Sequence, residues 1–192
     1  MRRFRKRKAL ASLLALAVSV LVIIGQQLGW FDNVNQAVQT SQPGLYRVAR
    51  FDDGDTIAVD MNGTEETIRF IGVDTPETHD PRKNVQCFGH AAADFTKNLI
   101  SSNNVRLEAD PLNTNRDRYG RLLRYVYLPN GTLVNLEIIK QGYGFAYTSF
   151  PSTKVDEFRA AEKEATDNNR GLWSSCSPQP NEYGGFTSND AQ

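Results

Sequence analysis

The chain has 192 residues, 40% of them hydrophobic, enough for one ordinary domain with extensions and a packed core, which excludes a disordered polyelectrolyte. Its 22 basic and 22 acidic residues cancel, but unevenly: Arg2, Arg3, Arg5, Lys6, Arg7 and Lys8 crowd residues 1–8, leaving 16 basic against 22 acidic residues, a net charge of −6, for the rest. A body so charged does not gather polyanions by bulk attraction, so any chemistry on them must rest on local placement or on a bound cation.

Behind the basic head, residues 9–25 form an unbroken run of 17 residues without charge. A cleaved signal needs an apolar core of about 7–15 residues and a small-x-small cleavage site, whereas a spanning helix needs about 17–25 residues. Leu21-Val22-Ile23-Ile24 supplies no such cleavage site and no cysteine follows for a lipid anchor. The expectation is an uncleaved single-pass membrane anchor with the basic head cytoplasmic and the remainder outside the cytoplasm. Secretion after signal cleavage is the alternative. Residues 26–43, containing "DNVNQAVQTSQP", read as a polar linker.

Short β-type runs follow: "YRVARF", "TIAVDM" and "ETIRFIGV", the last two joined by Asn62-Gly63, a strong hairpin signal. Later come "VRLEA" and "RLLRYVYL", the latter ending in Pro129-Asn130-Gly131 before "TLVN", a second hairpin turn. Helical spacing is expected over 89–100, 135–141 and 154–169; the last carries Asp156 and Glu157 early and Gly171 just beyond, as helix ends prefer. Five strands with three inserted helices suggest an α+β domain over 44–176 built on a small closed barrel. Residues 177–192 are polar with scattered Gly and Pro and are expected to be a disordered tail.

Export would make Cys87 and Cys176 a candidate disulfide, the one pairing two cysteines allow. Two free thiols, or a zinc site drawing on Cys87-x2-His90 with His79 and Cys176, are the competing readings; zinc sites usually show two tight ligand pairs, and here there is one.

"RFIGVDTPET" begins with an arginine on an otherwise apolar strand and ends in carboxylates. By strand alternation Arg69, Ile71 and Val73 share one face. An arginine fixed there is preorganised for bidentate bonding to phosphate. Asp74 and Glu77 follow where the strand leaves the sheet, and close carboxylates are tolerated when a hard cation sits between them. "FDDGDT" adds a second acidic cluster, which alone is only a good β-turn. "NRDRYGRLLRYVYL" places Arg121 at a strand start.

The ordered set "DGDT", "IRFIGVDTPET" and "DRYGR", with "FGHAAADFTKNLI" and the late "GLW", closely resembles the staphylococcal nuclease (thermonuclease-like) family across residues 46–173. The resemblance implies a five-stranded OB-type barrel with three helices. It implies calcium (Ca2+)-dependent hydrolysis of DNA and RNA by an endo- or exonuclease of micrococcal type, leaving 3′-phosphate and 5′-hydroxyl ends. Asp55 and Asp74 would be carboxylate ligands and Thr75 a carbonyl ligand of calcium. Glu77 would orient or deprotonate the attacking water, and Arg69 and Arg121 would grip the phosphate. Arg118 and Tyr119 fall where the family places a Lys-Tyr pair near the nucleic acid. "YGFAYTSF" matches only loosely, with one residue fewer; Tyr147 is either a stacking residue or part of the barrel edge. The cysteines lie outside the shared motifs. A monomer is expected. The rival reading is a non-catalytic OB-fold nucleic-acid-binding module, which would not need both arginines and the glutamate.

Overall fold

The computed structural model describes residues 44–78, 84–102, 104–182 and 185–191. The basic head, the apolar run and the linker expected over residues 1–43 lie outside the described residues, as does His79. Among those described, no helix is long and apolar enough to cross a membrane.

The elements run β1 (Leu45–Asp53), β2 (Thr56–Met61), β3 (Thr64–Phe70), β4 (Val73–Asp74), α1 (Gly89–Ile100), β5 (Asn104–Glu108) and β6 (Leu122–Tyr127). They continue with α2 (Val134–Lys140), β7 (Phe145–Ala146), α3 (Val155–Asp167), α4 (Leu172–Ser175), β8 (Gln179–Pro180) and β9 (Phe186–Thr187). β1, β2, β3, β6 and β5 close into a barrel in that order. All its pairings are antiparallel except β3 with β6. Closure removes the free edges that an open sheet would expose. Ile57, Val59, Ile68, Phe70, Val105 and Val126 fill the interior, and Ile138, Ile139 and Phe158 bring α2 and α3 onto the same core. The β2–β3 hairpin turns on Asn62 (φ 57°) and Gly63 (φ 85°), the paired positive angles that match strand twist.

Three expectations need correction. "ETIRFIGV" is not one strand: β3 stops at Phe70, the chain bends at Gly72 (φ 73°), and β4 begins at Val73. A Cβ on Gly72 would lie 2.4 Å from the Phe158 ring, so α3 occupies the space a straight strand would need. The bend is tied down by Asn135, which donates to the Ile71 carbonyl (2.9 Å), and by Tyr147, whose N–H donates to the Gly72 carbonyl (2.9 Å). Arg69, Ile71 and Val73 therefore do not line up along one strand face. The second hairpin is equally brief: past the Gly131 turn only Tyr127 and Leu133 bridge before α2 starts.

The tail after Cys176 is ordered over its described residues. β8 pairs with β9, Gln86 bridges Asp190, and the Ala191 N–H donates to the Val85 carbonyl (2.8 Å). Polar composition hid the anchor: Phe186 packs on Phe145 (ring centroids 6.2 Å) and edge-on against Trp173 (5.0 Å). One aromatic seated between two others outweighs a polar average. Cys87 and Cys176 are joined, S–S 2.04 Å, which leaves their sulfurs unavailable to a metal.

Candidate active site

β3 carries Arg69 at a position paired with Thr56 of β2 on one side and Leu123 of β6 on the other, so its backbone is fixed by three strands. Asp55 immediately precedes Thr56, and its carbonyl accepts the Phe70 N–H (2.9 Å). The β1–β2 turn and the end of β3 are thereby brought together. The guanidinium spans the Gly72 bend. Nη1 donates to the Val73 carbonyl (2.7 Å) and lies 2.8 Å from Asp55 Oδ2, while Nη2 donates to Asp74 Oδ1 (2.9 Å). Asp55 Oδ2 also accepts the Thr75 N–H (2.9 Å), and Oδ1 accepts the Thr56 hydroxyl (2.9 Å).

The side chains of Arg69 and Asp55 are only 15% and 8% exposed, whereas Asp74 is 44% exposed and faces solvent. Burial opposes the charge on Arg69, but Asp55 and Asp74, with smaller contributions from Tyr147 and Asp53, outweigh it and raise its pKa.

Glu77 stands one turn beyond. Its Oε1 accepts the Thr78 N–H (2.9 Å), and the Thr78 hydroxyl donates to Asp53 Oδ1 (3.1 Å), which also accepts the Gly54 N–H (2.8 Å). Burial, and then the charge of Asp55, push Asp53 up to about 7; Glu77 adds to this and the two hydrogen bonds moderate it.

The donor chemistry suits a hard cation: two carboxylates, Asp55 and Asp74, and the Thr75 carbonyl, all oxygen. Among the described residues no three His, Cys, Asp or Glu side chains form a ready-made cage, so water would complete any coordination shell. Thr75 packs tightly against the acidic turn. Its buried hydroxyl has no partner among the described residues, and a Cβ on Gly54 would lie 2.9 Å from it.

Arg121 belongs to a neighbouring group. Nε donates to Asp117 Oδ2 (2.7 Å), and Asp117 Oδ1 accepts the N–H groups of Tyr119 and Arg121 (both 2.9 Å). Tyr119 is 64% exposed, with the guanidiniums of Arg118 and Arg121 at 4.8 and 5.4 Å from its ring centroid. Arg118 also donates to the Tyr119 hydroxyl (2.7 Å). Strand register is what relates this group to Arg69: Arg121 lies two residues before Leu123, the β6 neighbour of Arg69. Tyr147 is half-buried, tilted against the exposed Phe150 (5.9 Å).

Sequence reasoning passed over Asp53, Asp117 and Gln86, which shape the site without being among its expected ligands. The Asp-x-Asp of "DGDT" and the Asp four residues before Arg121 were visible signals. Gln86 had none, because its contacts are with Glu77 and the tail.

Residues 67–175 match the family model described as staphylococcal nuclease homologue. The chain is 36% identical to the Thermonuclease of Staphylococcus intermedius over 87% of its own length and 98% of that protein. It is also 36% identical to the Thermonuclease of Staphylococcus hyicus, over 87% of its length and 99% of the relative. To the Endonuclease YncB of Bacillus subtilis it is 44% identical, over 64% of this chain and 58% of that one. With the barrel, the acidic turn and both arginine groups in place, this chain belongs to the staphylococcal nuclease family.

Proposed function

We propose that this chain is a nuclease of micrococcal type that hydrolyses phosphodiester bonds of DNA, RNA or both in the presence of calcium, leaving 3′-phosphate and 5′-hydroxyl ends. The observation that carries the reading is the Arg69 guanidinium fixed between Asp55 and Asp74, with Glu77 three residues further on. Asp55, Asp74 and the Thr75 carbonyl would hold the calcium, which when bound supplies positive charge opposite the phosphate oxygens.

Glu77 accepts a proton from the attacking water, which needs a carboxylate within hydrogen-bond reach of it. Arg69 offers a planar fork to the phosphate, and Arg121 a second one from the start of β6; such donors are most effective where negative charge grows in the transition state. Arg118 and Tyr119 extend the contact along the strand, and Tyr147 offers an aromatic face. The protein works as a monomer outside the cytoplasm, held to the membrane by residues 9–25 or released after their cleavage.

The test is cleavage of plasmid and single-stranded DNA in calcium and in excess chelator, with a Glu77→Gln variant alongside. Calcium-dependent cutting that the variant loses by about 10²–10⁴-fold is the expected result. Intact DNA across a range of calcium, with retained binding, would instead favour a barrel that holds nucleic acid without cutting it.

A further inference from the structure

Glu77 lies outside every strand and helix, yet a proton acceptor must be held within a fraction of an ångström of its working place. One residue grips its backbone on both sides. The Gln86 side-chain oxygen accepts the Glu77 N–H (2.8 Å), and the Gln86 N–H donates to the Glu77 carbonyl (2.9 Å). Together the two bonds fix the direction in which the Glu77 side chain leaves the chain, and the Thr78 N–H then orients its carboxylate (2.9 Å).

Gln86 is in turn held by the C-terminal segment. Its Nε2 donates to the Ser188 carbonyl and the Thr187 hydroxyl (both 3.3 Å). Next to it the Cys87 N–H donates to the Asn189 carbonyl (2.7 Å), and the Ser188 hydroxyl donates to the Cys87 carbonyl (2.9 Å). The segment is fastened at two points ahead of this contact. The Cys87–Cys176 bond ties its root to the start of α1, and Phe186 is seated on Phe145, whose strand partner is Asp74.

We infer that Gln86 is a positioning residue for Glu77 and that the C-terminal residues Thr187, Ser188 and Asn189 set Gln86 in place. The inference rests on the reading of Glu77 as the group that takes the proton from water, and it makes the tail part of the active-site scaffold.

The test uses the full chain with Gln86→Leu, which removes the acceptor; Gln86→Glu, which keeps it and loses the donor to the tail; and a chain ending at Cys176. Amide hydrogen exchange at Glu77 and Thr78 and steady-state cleavage are read together. Gln86→Leu and the truncation should speed exchange at those two amides roughly tenfold or more while the barrel amides keep their protection. Gln86→Leu should lower kcat about 10–100-fold, with KM changed by less than about twofold. In a Glu77→Gln background the same change should have no further effect on kcat. Gln86→Glu should have a smaller effect, and combining it with the truncation should add little. Unchanged exchange at Glu77 and Thr78 in both Gln86→Leu and the truncated chain would overturn the inference, as would an equal kcat loss with and without Glu77. If the unaltered chain cuts no nucleic acid, the proposed function fails while the exchange measurement still decides whether Gln86 and the tail hold Glu77.

Discussion

Replacing Arg69 with methionine separates the role of its charge from the role of the carboxylates it bridges. In the Arg69→Met chain Asp55, 8% exposed, loses its guanidinium but keeps the Thr75 N–H and the Thr56 hydroxyl, while Asp74, 44% exposed, can turn to water. Removing one partner of a buried pair costs about 3–5 kcal/mol; the surviving bonds and the exposure of Asp74 place this case near the lower end, about 3 kcal/mol. For a domain of this size that is a fall of roughly 6–12 °C in Tm. Calcium should reverse part of the loss. A site with a Kd near 10⁻³ M stabilises the unaltered chain by about 1.4 kcal/mol in roughly 10 mM calcium. In the variant the cation no longer shares the two carboxylates with a guanidinium, so binding tightens; a tenfold gain adds about 1.4 kcal/mol more. Urea unfolding of both chains, in chelator and in calcium, measures all four states. Equal calcium increments in the two chains would refute the reasoning, because the carboxylates bound to Arg69 would then not be the ones that hold the cation.

Gly72→Ala should destabilise by about 2–5 kcal/mol, combining roughly 1–2 for an L-residue at φ 73° with 1–3 for overpacking against Phe158, which is 1% exposed and cannot retreat; chemical denaturation checks it, and a loss under 1 kcal/mol would show that the bend is soft. Reducing the Cys87–Cys176 bond, which spans 89 residues, should remove about 4–5 kcal/mol in the chain-entropy model, read as the shift of the urea midpoint with and without reductant. Burial works against the ionised form of Asp110, but hydrogen bonds from Tyr125 (2.5 Å), the Thr153 N–H and hydroxyl (2.7 and 2.8 Å) and the Leu112 N–H (2.7 Å) outweigh it and hold its pKa below the usual value of 3.8. A depressed carboxyl contributes stability that is present above 3.8 and lost as pH falls through its folded value, so acid unfolding between neutral pH and about pH 2 should be less steep in Asp110→Asn than in the unaltered chain.

The elements that alternation and helical spacing govern were legible: α1 falls on 89–100 as expected, and α2 and α3 within two residues of their anticipated bounds. Misread elements were those set by contacts between distant segments. A run such as "TIRFIGV" looks continuous because only the ring of Phe158, far along the chain, says that Gly72 must bend. The tail looked disordered because its one decisive residue, Phe186, is outnumbered locally by polar neighbours whose partners, Gln86 and Cys87, are about a hundred positions away. At the site, the motif residues named themselves by type and order. Their pairing did not: nothing local says that Arg69 is shared between Asp55 and Asp74, or that Arg121 is held by Asp117.

That pairing explains how a chain that is acidic beyond residue 8 can serve a polyanionic substrate. Both arginines that the proposed function assigns to the phosphate are neutralised in place by their own carboxylates, and the same bonds hold the guanidiniums in their orientation. Around Arg69 the two carboxylates exceed the single guanidinium by one charge. A divalent cation held by Asp55 and Asp74 would turn the excess of that group from one negative to one positive charge and so offset the neighbouring carboxylate of Glu77. On the proposed function, affinity for the scissile phosphate would depend on the cation rather than on a basic surface. A barrel that only held nucleic acid would gain nothing from this arrangement, since carboxylates facing the phosphate repel it whenever the cation is absent.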